Sequence, residues 1–143
     1  MSIMFRQSTI KKKTAAVFIL LAVFFAAQIV YAGCSDYASF TLHSDDNWVW
    51  KTTAGNHLRA LKETNSSKYT VQANVMTMWC DPSFRIVNSN NQSRSGTVSI
   101  KETGTVFQGS DNIGIRNYYY YASVKPSSWQ VGTDKIKLRF NPK

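Results

Sequence analysis

The sequence predicts an all-β fold, a single antiparallel β-sandwich or small barrel of about seven to nine short strands behind a cleaved secretory signal peptide. Apolar residues recur at alternate positions in short runs, the period of a strand with two unlike faces. Polar turn sequences separate those runs at intervals of about ten residues, the spacing of small sandwiches and barrels. No stretch has the length and period of a substantial helix. No internal repeat or linker divides the chain.

The longest alternation is Lys68 to Cys80, with Tyr69, Val71, Ala73, Val75, Thr77 and Trp79 on one parity. It follows the turn Thr64-Asn65-Ser66-Ser67 and stops at Asp81-Pro82, and it is expected to be the central strand. Before it, Tyr37 to His43 alternates, with Ala38, Phe40 and Leu42 on one side. Ser44-Asp45-Asp46-Asn47 breaks that strand, and Trp48, Trp50 and Thr52 share a face in a second. His57 to Lys62 suits a helical turn or a strand. In a chain built of strands it is expected to pair with the central one through the Asn65-Ser66-Ser67 turn.

After the central strand, Ser83 to Asn88 turns Phe84 and Ile86 inward, and Ser89 to Gly96 is a polar loop. Thr97 to Glu102 alternates, Gly104 makes a turn, and Thr105 to Gln108 returns. Ile113 to Val124 reads as a second long strand, broken by Pro126-Ser127-Ser128. Lys135 to Asn141 closes the chain, with Ile136, Leu138 and Phe140 on one face and Lys135, Lys137 and Arg139 on the other.

The first 32 residues are set apart by composition. Arg6, Lys11, Lys12 and Lys13 form a positive start, Ala15 to Val30 is apolar except for Gln28, and Val30-Tyr31-Ala32 supplies a cleavage site. The apolar run is short for a membrane span, which needs roughly 20 residues, so cleavage is favoured over an uncleaved anchor. Residues 33–143 then form one secreted domain of 111 residues. The formal charge of +9 overstates how basic that domain is. Four of 17 basic residues leave with the leader, so 13 remain against eight acidic ones, a net +5. Such a charge suits anionic walls, lipids or polysaccharides, and it also serves solubility.

Cys34 and Cys80 are the two cysteines, and in an exported chain a pair is most simply a disulfide. In the chain-entropy view such a bridge stabilises by up to about 4 kcal/mol. Ala32-Gly33-Cys34 also has the small residues of a lipid-modification site, but Tyr31 stands where an aliphatic residue is expected.

Residues for catalysis are few. His43 and His57 lie fourteen positions apart, without an acidic or cysteine partner at ligand spacing. No nucleophile elbow, phosphate loop or zinc-protease motif occurs. Asp45-Asp46-Asn47 and Asp111-Asn112 have the oxygen-rich character of calcium loops and equally that of ordinary turns. No catalytic residue, cofactor or metal is predicted.

Aromatic residues are the more informative signal. Trp48, Trp50, Trp79 and Trp129 accompany the run Tyr118 to Tyr121. With Ile113 and Ile115 facing inward, alternation turns Tyr119 and Tyr121 inward and leaves Tyr118 and Tyr120 exposed beside Arg116. Exposed tyrosines near cations stack on sugars, enter lipid headgroups or meet a protein partner. Otherwise they pair across strands. Lys135, Lys137 and Arg139 form a basic strand face. For an exported chain of modest charge this reads as a solvated sheet edge rather than a nucleic-acid surface.

The basic leader ends in Tyr31-Ala32-Gly33. The segment from Arg59 runs through KETNSSKYTVQ, a tyrosine-rich strand spans Asn117 to Ser123, and KIKLRFN closes the chain. In these features the chain resembles a group of small secreted proteins of Gram-positive bacteria and their prophages, of uncharacterised function. The resemblance implies an all-β secreted fold and transfers no active-site residue.

Together these readings predict a secreted, non-enzymatic binding protein acting at the cell envelope or in the extracellular matrix. Its contacts would be Trp48, Trp50, Arg116, Tyr118, Tyr120, Lys135, Lys137 and Arg139. The expected partners are a cell-wall saccharide, an anionic membrane surface or an extracellular protein. The alternative is a bacteriocin-like toxin acting on competitors' membranes. A small secreted hydrolase ranks last.

Overall fold

Eight strands and no helix are found among residues 33–77 and 81–143, the residues described in the computed structural model. They are β1 (Ala38–His43), β2 (Arg59–Leu61), β3 (Tyr69–Met76), β4 (Ser83–Val87), β5 (Val98–Ser99), β6 (Val106–Gly109), β7 (Tyr119–Lys125) and β8 (Thr133–Asn141). They form two four-stranded antiparallel sheets. The first has the order β1-β8-β3-β6 and the second β2-β7-β4-β5. The sheets do not join into a closed barrel. The predicted leader, together with Trp79 and Cys80, lies outside the described residues, and so does the predicted Cys34–Cys80 bridge.

Alternation accounts for the core. Phe40 and Leu42 of β1, Tyr69, Val71 and Ala73 of β3, and Ile136, Leu138 and Phe140 of β8 are buried. They belong to one cluster with Ala60, Phe84, Ile86, Ala122 and Val124 of the second sheet. The rings of Phe84 and Phe140 meet across the layers at 5.7 Å. Burying side chains of this size stabilises by roughly 1.5–3 kcal/mol each, before the entropy of ordering them. Tyr69 is the largest fully buried side chain, and its hydroxyl donates to Gly96 O at 2.8 Å. Opposite it stands Gly109, where a Cβ would fall inside the Tyr69 ring. Burial pushes the Tyr69 phenol up to about 12.

Several expectations are corrected by long-range pairing. β3 is an interior strand as expected, but its register shifts between Ala73 and Val75. The irregularity reverses the parity, so Val75 faces out and Met76 packs on the core. Arg59–Leu61 is a strand, but it pairs with β7 and not with β3. The expected hairpin across Gly104 is divided instead, because β5 joins β4 in one sheet and β6 joins β3 in the other. β8 lies between β1 and β3, so Lys135, Lys137 and Arg139 are not on a sheet edge. Trp48 to Thr52 is not a strand. Val49 alone bridges to Val124, while Thr53 N donates to Ser39 O at 2.7 Å, so this segment straps the two sheets along one side.

The tyrosine run is phased oppositely to the prediction. The strand starts only at Tyr119, and the preceding segment is extended loop and turn. Ile113 and Ile115 are exposed, Tyr119 is exposed, and Tyr120 is buried. The Tyr120 hydroxyl accepts from Ile115 N and donates to Ile115 O, which holds the preceding loop against the strand. Nearby, Lys62 is fully buried. Its ammonium donates to Ser66 O at 2.6 Å and to Pro142 O at 3.1 Å, and burial lowers its pKa from the ordinary lysine value. Asn112 Nδ2 donates to the same Pro142 carbonyl at 2.6 Å.

Candidate functional site

The outer face of the second sheet is built from the residues of β7, β4 and β2 that alternation turns away from the core. Tyr119, Tyr121, Ser123 and Lys125 come from β7, Arg85 from β4 and Arg59 from β2. The Val49 bridge places Trp48 and Trp50 on the same face, because residues flanking an inward side chain point the other way. Trp50 stacks on His57 with ring centroids 3.9 Å apart, and both meet Tyr121 edge-on. His57 Nδ1 donates to Trp50 O at 3.1 Å, which sets the ring's tautomer. Arg85 lies over the Trp48 ring at 4.0 Å, and Arg59 over Tyr119 at 4.7 Å.

These contacts make a layer of rings interleaved with cations. The register puts β7 between Arg85 and Trp48, so their contact arches over that strand. Beneath it Ser123 is fully buried, and its Oγ and Arg85 Nε have no hydrogen-bond partner among the described residues. Burial also lowers the Arg85 pKa from its ordinary value. Neither Arg59 nor Arg85 forms an ion pair with a described carboxylate. Cation–ring contacts of this kind are worth about 0.5–1 kcal/mol at exposed positions. Trp48, Trp50 and Tyr119 therefore each have one ring face occupied by a cation or by His57. The terminal guanidinium nitrogens of Arg59 and Arg85 have no carboxylate partner among the described residues, and they are donors of the kind that pair with hydroxyl or carboxylate groups.

Where β7 begins, this face runs into a concavity of about 280 Å³. Arg94, Ser89, Ile113, Ile115, Tyr118 and Tyr119 line it, and it contains no carboxylate. Tyr119 belongs to both surfaces.

The eight predicted contact residues are thus not brought together. Trp48 and Trp50 lie on the outer face of the second sheet. Tyr118 is on the wall of the concavity, and Arg116 is in the turn before it. Tyr120 is buried, so it is corrected to a structural residue. Lys135, Lys137 and Arg139 belong to the first sheet, where Arg139 donates to Gln72 Oε1 at 3.1 and 2.8 Å and stacks on Tyr37 at 4.8 Å. Sequence reading missed His57, Arg59, Arg85, Arg94, Tyr119 and Tyr121. Arg85 carried a signal, since it sits between inward Phe84 and Ile86. The others depended on which strands pair.

No protein-family model matches the chain, and a search of curated proteins finds no match either.

Proposed function

We propose that this is a secreted, non-enzymatic β-sandwich protein that binds a saccharide of the cell envelope on the outer face of its second sheet. The observation that carries the proposal is the layer formed by Trp48–Arg85, Trp50–His57–Tyr121 and Arg59–Tyr119. Aromatic faces cover the apolar side of sugar rings, and guanidinium forks pair with hydroxyl and carboxylate groups. The rings are largely held by each other and by β7, so little side-chain freedom is lost on binding.

Co-sedimentation with purified cell walls and, separately, with anionic vesicles, at low and high salt, tests this. Wall binding that survives high salt and falls in Trp48→Ala supports stacking on saccharide. Vesicle binding that salt abolishes, with no wall binding, contradicts it.

A second reading, a toxin acting on membranes, is favoured by one observation. Trp129 and Val131 in the β7–β8 loop are 78% and 79% exposed, an apolar tip suited to a lipid interface. Retained vesicle binding in Trp129→Ser would remove that support.

A further inference from the structure

The concavity at the start of β7 is apolar where its backbone is hydrogen-bonded. Ile113 and Ile115 are 68% and 67% exposed, and Tyr118 is 62% exposed. An apolar cluster left in water on a small protein marks a contact site more often than chance exposure. The segment that carries it is held through four of the five backbone amides from 113 to 117. Ile113 N donates to Arg94 O, Gly114 N to Asn112 Oδ1, Ile115 N to the Tyr120 hydroxyl and Asn117 N to Lys62 O. Asp111 and Asn117, both in the left-handed region at φ 57° and 68°, bracket it. At Gly114 a Cβ would come within 2.8 Å of the Tyr120 ring, so the loop lies against the strand as closely as glycine allows. The side chains therefore point outward because the backbone is fixed that way.

Among the described residues that line the concavity, the cation is Arg94. The Arg94 backbone is held by Ile86 O and Ile113 N, and its guanidinium has one long hydrogen bond, 3.4 Å to Gln92 Oε1. Gln92 is itself fixed through Asn88, so Arg94 is oriented but not neutralised. Ser89 is exposed and adds a hydroxyl, and Tyr118 and Tyr119 add ring faces. The volume is near the low end of small-molecule sites, roughly 300 Å³ and upward, so it suits one ring rather than a chain.

We infer that this concavity is a binding site for an N-acetylated sugar acid. The carboxylate pairs with Arg94, the acetyl methyl packs on Ile113 and Ile115, and the ring lies against Tyr118 and Tyr119. The choice of a sugar rests on the saccharide reading of the adjoining face, to which Tyr119 connects it. Two sources share this chemistry: N-acetylmuramic acid released from bacterial walls, whose lactyl carboxyl is free once the stem peptide is removed, and the sialic acids of host glycans.

The test is an NMR titration of the isoleucine methyl groups, using the protein as purified from an expressing host. The probes are N-acetylmuramic acid, N-acetylneuraminic acid and neutral N-acetylglucosamine. Saturable shifts at Ile113 and Ile115 are expected with at least one of the two acids. The neutral sugar is expected to bind at least about tenfold more weakly, as is the acid to Arg94→Gln, in line with loss of a charge-assisted pair. Whichever acid binds more tightly identifies the source. Ile115→Ser, at an exposed position, should weaken both acids without changing the melting temperature. Equal binding of neutral and acidic sugars, or an unaffected Arg94→Gln, overturns the inference. So does an absence of shifts while Trp48-dependent wall binding persists, a result that leaves the function proposed for the sheet face intact.

Discussion

On the outer face of the first sheet Arg139 is tied down, bonded to Gln72 and stacked on Tyr37, while Gln72 also accepts from the Tyr37 hydroxyl and donates to Gly104 O. On the outer face of the second sheet Arg59 and Arg85 stack on rings and meet no carboxylate among the described residues, and Ser123 lies buried with no partner among them. Both faces combine cations with aromatic rings. In the first the polar groups satisfy one another, so the arrangement stabilises the sheet and little is left for a ligand. In the second the guanidiniums are held by stacking, and their terminal nitrogens have no carboxylate partner among the described residues, while Arg85 Nε and Ser123 Oγ are buried beneath the rings. Cation and ring content therefore does not define a binding face. The two faces differ in whether their donors are already used.

The largest effect that would sharpen this contrast concerns the tyrosine run shared between the core and the second face. Tyr120→Ala should destabilise by about 3–5 kcal/mol, because it empties a buried site and releases the Ile115 loop. Tyr118→Ala should stay within about 0.5 kcal/mol, as expected for an exposed residue. Urea unfolding of the two variants checks this, and equal costs would mean that the division between structural and exposed tyrosines is wrong.

The interior that both sheets share sets the next effect. The folded Tyr69 phenol is raised to about 12, above its unfolded value, so the native state holds its proton longer. Its contribution is complete below about pH 10 and is lost as pH rises toward about 12, on the order of 2 kcal/mol. Tyr69→Phe should flatten the decline in urea midpoint over that window. A decline as steep as that of the unmodified protein would place its origin elsewhere.

On the first face, Arg139→Ala should cost about 1–2 kcal/mol of stability, and a double-mutant cycle with Gln72→Ala should show coupling. On the second, Arg85→Met should change stability by less than about 1 kcal/mol, since it removes a buried donor that lacks a partner. It should nevertheless weaken binding to walls. If instead Arg139→Ala weakened wall binding and Arg85→Met did not, the contrast between the faces would be reversed.

The inward residues of most strands were legible, because alternation reports which side chains share a face whatever the partner strand. Phe40, Leu42, Phe84, Ile86, Ile136, Leu138 and Phe140 are buried as that pattern requires. Pairing was not legible. Arg59–Leu61 lies next to β3 in the chain and next to β7 in space, and nothing local distinguishes the two. Phase failed wherever a strand was assumed to be continuous. The register shift at Ala73/Val75 reversed the end of β3, and the turn at Arg116–Asn117 invalidated the parity carried forward from Ile113. The candidate site suffered most from this, because Arg59, Arg85, Trp50 and Tyr121 become one surface only once β2, β4 and the Val49 bridge are placed around β7.

The most direct test of the account is a side-by-side wall co-sedimentation at high salt, with melting temperatures recorded for each variant. One variant carries Trp48→Ala with Tyr119→Ala on the second sheet, and the other carries Lys135→Gln with Lys137→Gln on the first. The account predicts that the first variant loses wall binding while it remains folded, and that the second binds as the unmodified protein does. Loss of binding in the lysine variant alone would contradict it and would assign the ligand to the opposite face of the molecule.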